Sequence, residues 1–125
     1  MLFNQSEQEF LIKLNPELSI LKNEKVAIKL HMGEKSNKTH LSPKFVKQIV
    51  TILKQNNCQP FLFDSPVLYT SARDSAQKYL QTAKEQGFSE ETIGCPIIIS
   101  DDHEIIKTEN LDVEVCRPLL EADSM

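Results

Sequence analysis

Chemically active side chains stand directly after three apolar segments of this sequence. His31, Gly33 and Glu34 follow the first segment, Asp64 ends the second, and Asp101 follows the third. If the segments are parallel strands, these residues meet at one edge of a sheet, because the loops after parallel strands converge there. Imidazole nitrogen and carboxylate oxygen can transfer protons or bind metal ions. The spacing therefore predicts a ligand pocket at that edge.

The loop after His31 suits two different ligands. A metal ion such as zinc, iron or manganese accepts nitrogen and oxygen donors. The donors that the sequence offers are His31, Glu34, His40 and Asp64. An anion is the alternative, because Lys35 and Lys38 precede a helix start at Ser42, where free backbone N–H groups attract negative charge. The sequence holds no glycine-rich phosphate-binding motif and no nucleophilic serine motif, so metal, anion and an ordinary solvated loop all stay open.

Lys29 and His31 interrupt one face of the first apolar segment. They alternate with Val26, Ile28 and Leu30, which is the two-residue period of a strand. Either this face of the strand is solvated, or the two polar side chains belong to the pocket. For His31 alone, a partly buried structural histidine is the alternative to a ligand or a base.

Strand and helix patterns alternate along the chain and position these residues. The predicted strands are residues 25–32, 60–63 and 97–99. The helix between the first two strands begins at Ser42-Pro43 and ends at Asn56. The helix between the second and third strands begins with a capping box at Ser71 and Asp74 and ends at Gly87. Strands separated by helices form parallel sheets through right-handed crossovers. A hairpin at residues 104–107 and 112–116 and a helical turn from Pro118 follow. The predicted fold class is α/β: a three-layer domain with a mainly parallel sheet and a small C-terminal β-hairpin.

Two short helices are predicted before the first strand. Ser6 and Glu9 form a capping box for the first helix. Asn15 caps the second, with Pro16 at its first position. The chain of 125 residues shows no linker, so residues 1–125 are expected to form one domain.

The composition excludes several classes of protein. With 40% hydrophobic and 26% charged residues, the chain is globular and not disordered. The net charge of −4 argues against a nucleic-acid partner, because such proteins present a basic face to phosphates. No segment approaches the roughly 18 uncharged apolar residues of a membrane span, and Glu7 and Glu9 lie where a signal peptide would be basic or apolar. We expect no membrane contact.

The cysteines indicate a reducing compartment. Cys58, Cys95 and Cys116 are odd in number and contain no C-x-x-C pair, which fits neither a disulfide framework nor a metal site. Each lies beside an apolar run, as buried thiols do. We therefore expect a cytoplasmic protein whose cysteines carry no chemistry.

Short segments along the chain also form an ordered set. They read KVAIKLHMGE at residues 25–34, THLSP at 39–43, PFLFD at 60–64, LY at 68–69, TA at 82–83, GF at 87–88 and IGCPIIISD at 93–101. In this order they resemble the N-terminal half of a bacterial and archaeal family known only as domain of unknown function 362, over residues 25–123.

The resemblance implies a ligand site and a redox context. The family's characteristic polar positions fall on His31, Gly33, Glu34, Asp64, Tyr69, Arg73 and Asp101. Many family members carry a ferredoxin-like segment with two 4Fe-4S clusters, so the resemblance implies an iron–sulfur association. Two positions depart from the family's pattern. Where the family usually reads Asp-Thr-Asn-Thr-Leu-Tyr, this chain has DSPVLY at residues 64–69. Where the family usually has a histidine in the following helix, this chain has Tyr79.

Two functions follow as hypotheses. The first is the N-terminal, pocket-forming domain of an iron–sulfur-associated redox protein, with no cofactor within this chain and the 4Fe-4S clusters in a missing C-terminal segment. The alternative is a non-catalytic module that binds a small anion or a metal ion; an interaction domain would instead expose an apolar patch. Because the family continues into a further strand, we also expect an uncovered apolar edge or face of the sheet. Self-association, or contact with the missing C-terminal half, would cover it.

Overall fold

The computed structural model describes residues 5–125, in which helices and strands alternate along most of the chain. The elements are α1 (Gln5–Leu18), β1 (Lys25–Lys29), α2 (Pro43–Gln55), β2 (Gln59–Asp64), α3 (Ala76–Glu85), α4 (Glu90–Ile93), β3 (Ile97–Ile99), β4 (His103–Lys107), β5 (Asp112–Cys116) and α5 (Arg117–Leu120). None of the helices in this part of the chain is long and apolar enough to span a membrane.

The central sheet is parallel and has the order β1-β2-β3. Val26 lies beside Pro60, and Leu62 lies beside Ile97 in the next pair. Two crossovers, one through α2 and one through α3 and α4, connect the strands. All three strands therefore end at the same edge, as the sequence pattern predicted.

Helices α2, α3 and α4 cover one face of this sheet. Phe45 and Val50 of α2 and Tyr79 of α3 are fully buried against Leu62 of β2. Helix α2 forms here because its apolar residues recur at helical spacing and because Ser42 caps it: the Ser42 Oγ accepts a hydrogen bond of 3.1 Å from the Phe45 N–H.

The last elements of the chain cover the opposite face. Ala27, Phe61 and Phe63 are buried there, and Leu119 and Ala122 pack against them. The sheet thus lies between α2, α3 and α4 on one side and α5 on the other. This arrangement confirms the predicted α/β class with its parallel sheet.

The hairpin forms a separate two-stranded sheet. β4 and β5 are antiparallel, with Ile106 opposite Val113. Arg117 at its base pairs with Asp102 at 3.0 Å and also with Glu104. The predicted hairpin is confirmed, with its first strand beginning one residue earlier.

The first strand is shorter than predicted. Residues 25–32 alternate throughout, but β1 ends at Lys29. Leu30 still donates to the Phe63 carbonyl at 3.0 Å, whereas the Met32 N–H donates to the Tyr79 hydroxyl instead of to a strand. A side chain from α3 therefore ends the ladder.

Three helices also differ from the prediction. Helix α1 is continuous through Pro16, and because Ile12 is 74% exposed, water can satisfy the Ile12 carbonyl that lacks an N–H donor from Pro16. Helix α3 begins after Ser75, and Ser71 instead lies in a turn where its N–H donates to Asp74 at 3.3 Å. Helix α4 was not predicted, because its capping box uses a threonine, Thr92, in place of Glu or Gln.

The free edge of β1 is covered by the chain itself. Ala27 donates to the Ser124 carbonyl at 2.9 Å, and the Lys25 N–H donates to the Asp123 carboxylate at 2.7 Å. Val26 and Ser124 form a parallel bridge. The edge of β1 is therefore not left unpaired. β3 is the other outer strand of the three-stranded sheet.

Glu7 of α1 caps α2 from outside that helix. Its two carboxylate oxygens accept from the Ser42 N–H and the Ser42 Oγ, each at 2.8 Å, and the Glu7 side chain is buried. A carboxylate is stabilised there by the free N–H groups and the dipole of α2. The Glu7 carboxylate thus occupies the N-terminal end of α2 at Ser42.

Glu7→Gln is expected to lower the free energy of unfolding by about 1–2 kcal/mol. The amide carries no charge and has only one acceptor oxygen, so the two charge-assisted bonds from Ser42 are replaced by weaker neutral ones. The measurement is urea denaturation, in which the midpoint falls while the slope is unchanged. Glu17→Gln, an exposed carboxylate on the same helix, is the matched control. Equal stability of the two variants would contradict the capping role.

Candidate functional site

Asp64, the last residue of β2, lies at the centre of a polar cluster at the carboxyl ends of the strands. Its Oδ1 accepts from the Lys29 ammonium at 2.6 Å and from the Ser65 N–H at 2.9 Å. Its Oδ2 accepts from the Tyr79 hydroxyl. The Asp64 carboxylate is buried, so these donors replace the water that it loses.

Tyr79 connects this carboxylate to the loop after β1. The residue is fully buried, and its hydroxyl accepts from the Met32 N–H at 3.1 Å while donating to Asp64. Burial, together with the hydrogen bond to Asp64, raises the pKa of Tyr79 to about 12. The phenol is therefore neutral near pH 7, and it holds α3, β2 and the loop together.

Arg73 lies over the Tyr79 ring, with its guanidinium carbon 5.2 Å from the ring centre. Only 5% of Arg73 is exposed. Its Nη2 donates to the Tyr69 hydroxyl at 2.9 Å and to the Glu34 carboxylate. Burial favours the neutral form, but the hydrogen bond to Glu34 and the interaction with Tyr79 outweigh it and raise the pKa of Arg73. The guanidinium is thus charged and fixed in orientation.

Glu34 and Tyr69 complete this group. The Tyr69 hydroxyl donates to Glu34 Oε1 at 2.7 Å. The hydrogen bond from Tyr69, followed by the one from Arg73, holds the pKa of Glu34 below its usual value. The hydrogen bond between Tyr69 and Glu34 also raises the pKa of Tyr69. The Gln86 amide donates to the Glu34 carbonyl at 3.2 Å, so the loop is also tied to the end of α3.

The pH dependence of stability is expected to change when Glu34 is replaced by glutamine. Because the folded pKa of Glu34 lies below the ordinary value of 4.5, its stabilising effect is complete above pH 4.5 and is lost as the pH falls through the lower folded value. The difference in melting temperature between wild type and Glu34→Gln should therefore shrink on acidification below pH 4.5. Parallel curves down to the lowest pH would show that this carboxylate is not held by Tyr69 and Arg73.

A cavity of about 170 Å³ opens beside this group. Its lining residues are Glu34, Lys35, Tyr69, Ser71, Ala72 and Arg73. Among the buried side-chain nitrogen and oxygen atoms of residues 5–125, Arg73 Nε is the one without a hydrogen-bond partner. A buried N–H donor without an acceptor lowers the stability of the fold.

The other predicted site residues lie around this group or apart from it. His31 is exposed, and its Nδ1 accepts from the Gly33 N–H at 3.1 Å. Gly33 has a φ of +89°, and a Cβ there would lie 2.8 Å from the His40 ring, so glycine is required. Asp101 is exposed, and its carbonyl oxygen lies 3.1 Å from His103 Nδ1. The structure thus joins Glu34, Tyr69 and Arg73 in one group but not Asp101.

The four donors considered for a metal do not assemble. Within residues 5–125, no group of three or more His, Cys, Asp or Glu side chains is placed to hold a metal ion. His40 is engaged elsewhere, with its ring nitrogens 2.8 Å from the Leu41 carbonyl and 3.1 Å from Gln86 Oε1. The group around Arg73 is instead suited to bind an anionic oxygen.

A family model described as a domain of unknown function, DUF362, matches residues 26–125. The chain belongs to this family. The resemblance read from the sequence is therefore confirmed, and all residues of the polar cluster lie within the matched part of the DUF362 domain. No curated protein and no solved structure matches the chain.

Two residues of the polar cluster in this DUF362 domain, Tyr79 and Lys29, are not among the site residues that the resemblance implies. Tyr79 stood out only as a departure from the family's histidine, yet it links Asp64 to Met32 and supports Arg73. Lys29 has a sequence signal, because a charged side chain interrupts an otherwise apolar strand. No such signal exists for Tyr79, because a tyrosine in the apolar stripe of a helix resembles a core residue.

Proposed function

We propose that this chain binds a small anion, such as a carboxylate, in the cavity beside Arg73. The observation that carries the proposal is the Arg73 guanidinium, a charged group that lines the cavity and is held in place by Glu34 and Tyr69. A guanidinium presents parallel N–H groups that match the oxygens of a carboxylate or phosphate. An anion in the cavity would lie beside this guanidinium and Lys35.

The charges around the cavity support an anion over a cation. Arg73 carries a positive charge that Glu34 balances, and Lys35 adds a second positive charge at the wall. Because Arg73 is held by Glu34, Tyr69 and the Tyr79 ring, its side chain loses little freedom on binding. The cavity is therefore preorganised for a ligand of negative charge.

The test is thermal denaturation with acetate, sulfate and phosphate, with acetamide as the neutral control. A ligand at roughly 100 times its dissociation constant stabilises the fold by about 2.7 kcal/mol. We expect an anion, but not acetamide, to raise the melting temperature. Amide chemical shifts should then change around residues 34–35 and 69–73. Equal effects of acetate and acetamide, or shift changes elsewhere, would contradict the proposal.

We also propose that the domain works with iron–sulfur clusters, as the N-terminal part of a redox protein. The support is its membership of DUF362, for which the sequence resemblance implies a ferredoxin-like segment. A 4Fe-4S cluster is bound by four cysteines, and the chain contains three. The clusters would therefore lie outside these residues. The three cysteines are free thiols, which supports a cytoplasmic location.

The redox proposal is tested on the product of the complete reading frame, purified without oxygen. Iron, acid-labile sulfide and the electron paramagnetic resonance spectrum of the reduced protein are measured. We expect two 4Fe-4S clusters per chain. A product without iron, or a reading frame without additional cysteines, would overturn the redox proposal and leave the anion site untouched.

A further inference from the structure

The cavity beside Arg73 continues into a larger groove along α3. This open groove has a volume of about 710 Å³ and shares Lys35, Ser71 and Ala72 with the smaller cavity. From Gln77 to Lys84 it spans eight residues of α3, whose seven steps correspond to a length of roughly 10 Å. The two spaces therefore adjoin at their three shared residues.

The groove is positively charged on an acidic protein. Three lysines, Lys35, Lys78 and Lys84, line it against one carboxylate, Glu85, although the whole chain has a net charge of −4. Lys78 is partly neutralised by Asp74, 2.8 Å away, whereas Lys35 and Lys84 are exposed. Ala72 and Leu80 add apolar surface to the lining of the groove.

The volumes indicate a ligand longer than a simple anion. Sites for small molecules usually measure about 300–1,000 Å³, so the cavity of about 170 Å³ accommodates only the head of such a ligand. We propose that the ligand is an elongated molecule with two anionic ends, one carboxylate beside Arg73 and a second anionic group among the lysines of the α3 groove. This inference rests on the proposed anion site and names its ligand class.

The test compares dicarboxylates with monocarboxylates of the same chain length. Isothermal titration calorimetry is carried out with malonate, glutarate, pimelate and azelate, and with the matching fatty acids below their micelle concentrations. We expect the longer dicarboxylates to bind about fivefold more tightly than their monocarboxylate partners, because each exposed lysine contributes a weak attraction. The shortest pair should bind alike, because malonate beside Arg73 is too short to reach Lys78 and Lys84.

Two substitutions locate the second anionic end. Lys78→Gln combined with Lys84→Gln should remove the advantage of the long dicarboxylates and leave monocarboxylate binding unchanged. Lys47→Gln, on the exposed face of α2, is the matched control and should change neither. If mono- and dicarboxylates bind equally at every length, the elongated ligand is wrong and the anion site remains. If no carboxylate binds, the anion site itself is wrong.

Discussion

Tyr79→Ala is expected to lower the free energy of unfolding by about 3–5 kcal/mol. Tyr79 is the largest fully buried side chain among residues 5–125, and it fills the core between α3 and the sheet. Alanine would leave a cavity and would remove the support for the Arg73 guanidinium. A domain of this size is usually stable by only about 5–15 kcal/mol, so the variant should be close to unfolding. Urea denaturation followed by circular dichroism measures the change.

Tyr79→Phe separates the hydroxyl from the ring. Phenylalanine keeps the packing but leaves the buried Met32 N–H without its acceptor and Asp64 without one of its donors. We expect a loss of about 1–3 kcal/mol, because buried groups without partners are costly. Tyr69→Phe is the control, because Tyr69 is 55% exposed and water can replace its contacts. Equal effects of the two variants would show that the Tyr79 hydroxyl does not hold the site together.

Alkaline pH offers a second measurement on the same hydroxyl. The pKa of Tyr79 is raised from 10 to about 12, so its stabilising effect is complete below pH 10 and is lost as the pH rises to about 12. The wild type should therefore lose stability over this interval, and Tyr79→Phe should lose less. A variant that loses as much as the wild type would contradict the assignment.

Arg73→Ala is expected to weaken anion binding by about tenfold to hundredfold, which corresponds to a charged hydrogen bond of 1.5–3 kcal/mol. The reason is the loss of both the charge and the N–H donors at the cavity wall. Arg73→Lys keeps the charge but loses the planar guanidinium with its several N–H donors. Its affinity for the anion should therefore lie between those of the wild type and Arg73→Ala. Calorimetry with the best anion measures the affinity, and urea denaturation verifies that each variant is folded.

The matched control for Arg73 is Lys47→Ala, which removes a positive charge from the exposed face of α2. It should leave the affinity unchanged, because exposed charges at a distance are screened by salt. If a folded Arg73→Ala variant binds the anion as tightly as the wild type does, the ligand does not contact the guanidinium.

The sequence predicted the sheet and part of the site for one physical reason: periodicity reports which face of an element is buried. The alternation from residue 25 and the helical spacing after Ser42 therefore gave β1 and α2. The convergence of parallel strand ends, with the family resemblance, brought Glu34, Asp64 and Arg73 into consideration. Contacts between residues far apart in the chain leave no such signal.

Two such contacts account for the main differences. The Glu7 carboxylate reaches Ser42 across 35 positions, so no local pattern identifies it as a cap of α2. The Tyr79 hydroxyl reaches Met32 across 47 positions and ends β1 before its alternation does. Both contacts depend on where whole elements pack, which the local pattern does not describe.

The location of the tyrosines makes the site optically visible. The chain has no tryptophan and two tyrosines, Tyr69 and Tyr79, and both belong to the polar cluster. Near-ultraviolet absorption and fluorescence of the native protein therefore come mainly from this one place. The emission of each phenol depends on its hydrogen bonds to Glu34 and Asp64, so an arriving ligand that rearranges those bonds would change the signal. The protein thus contains its own spectroscopic probe and needs no attached dye.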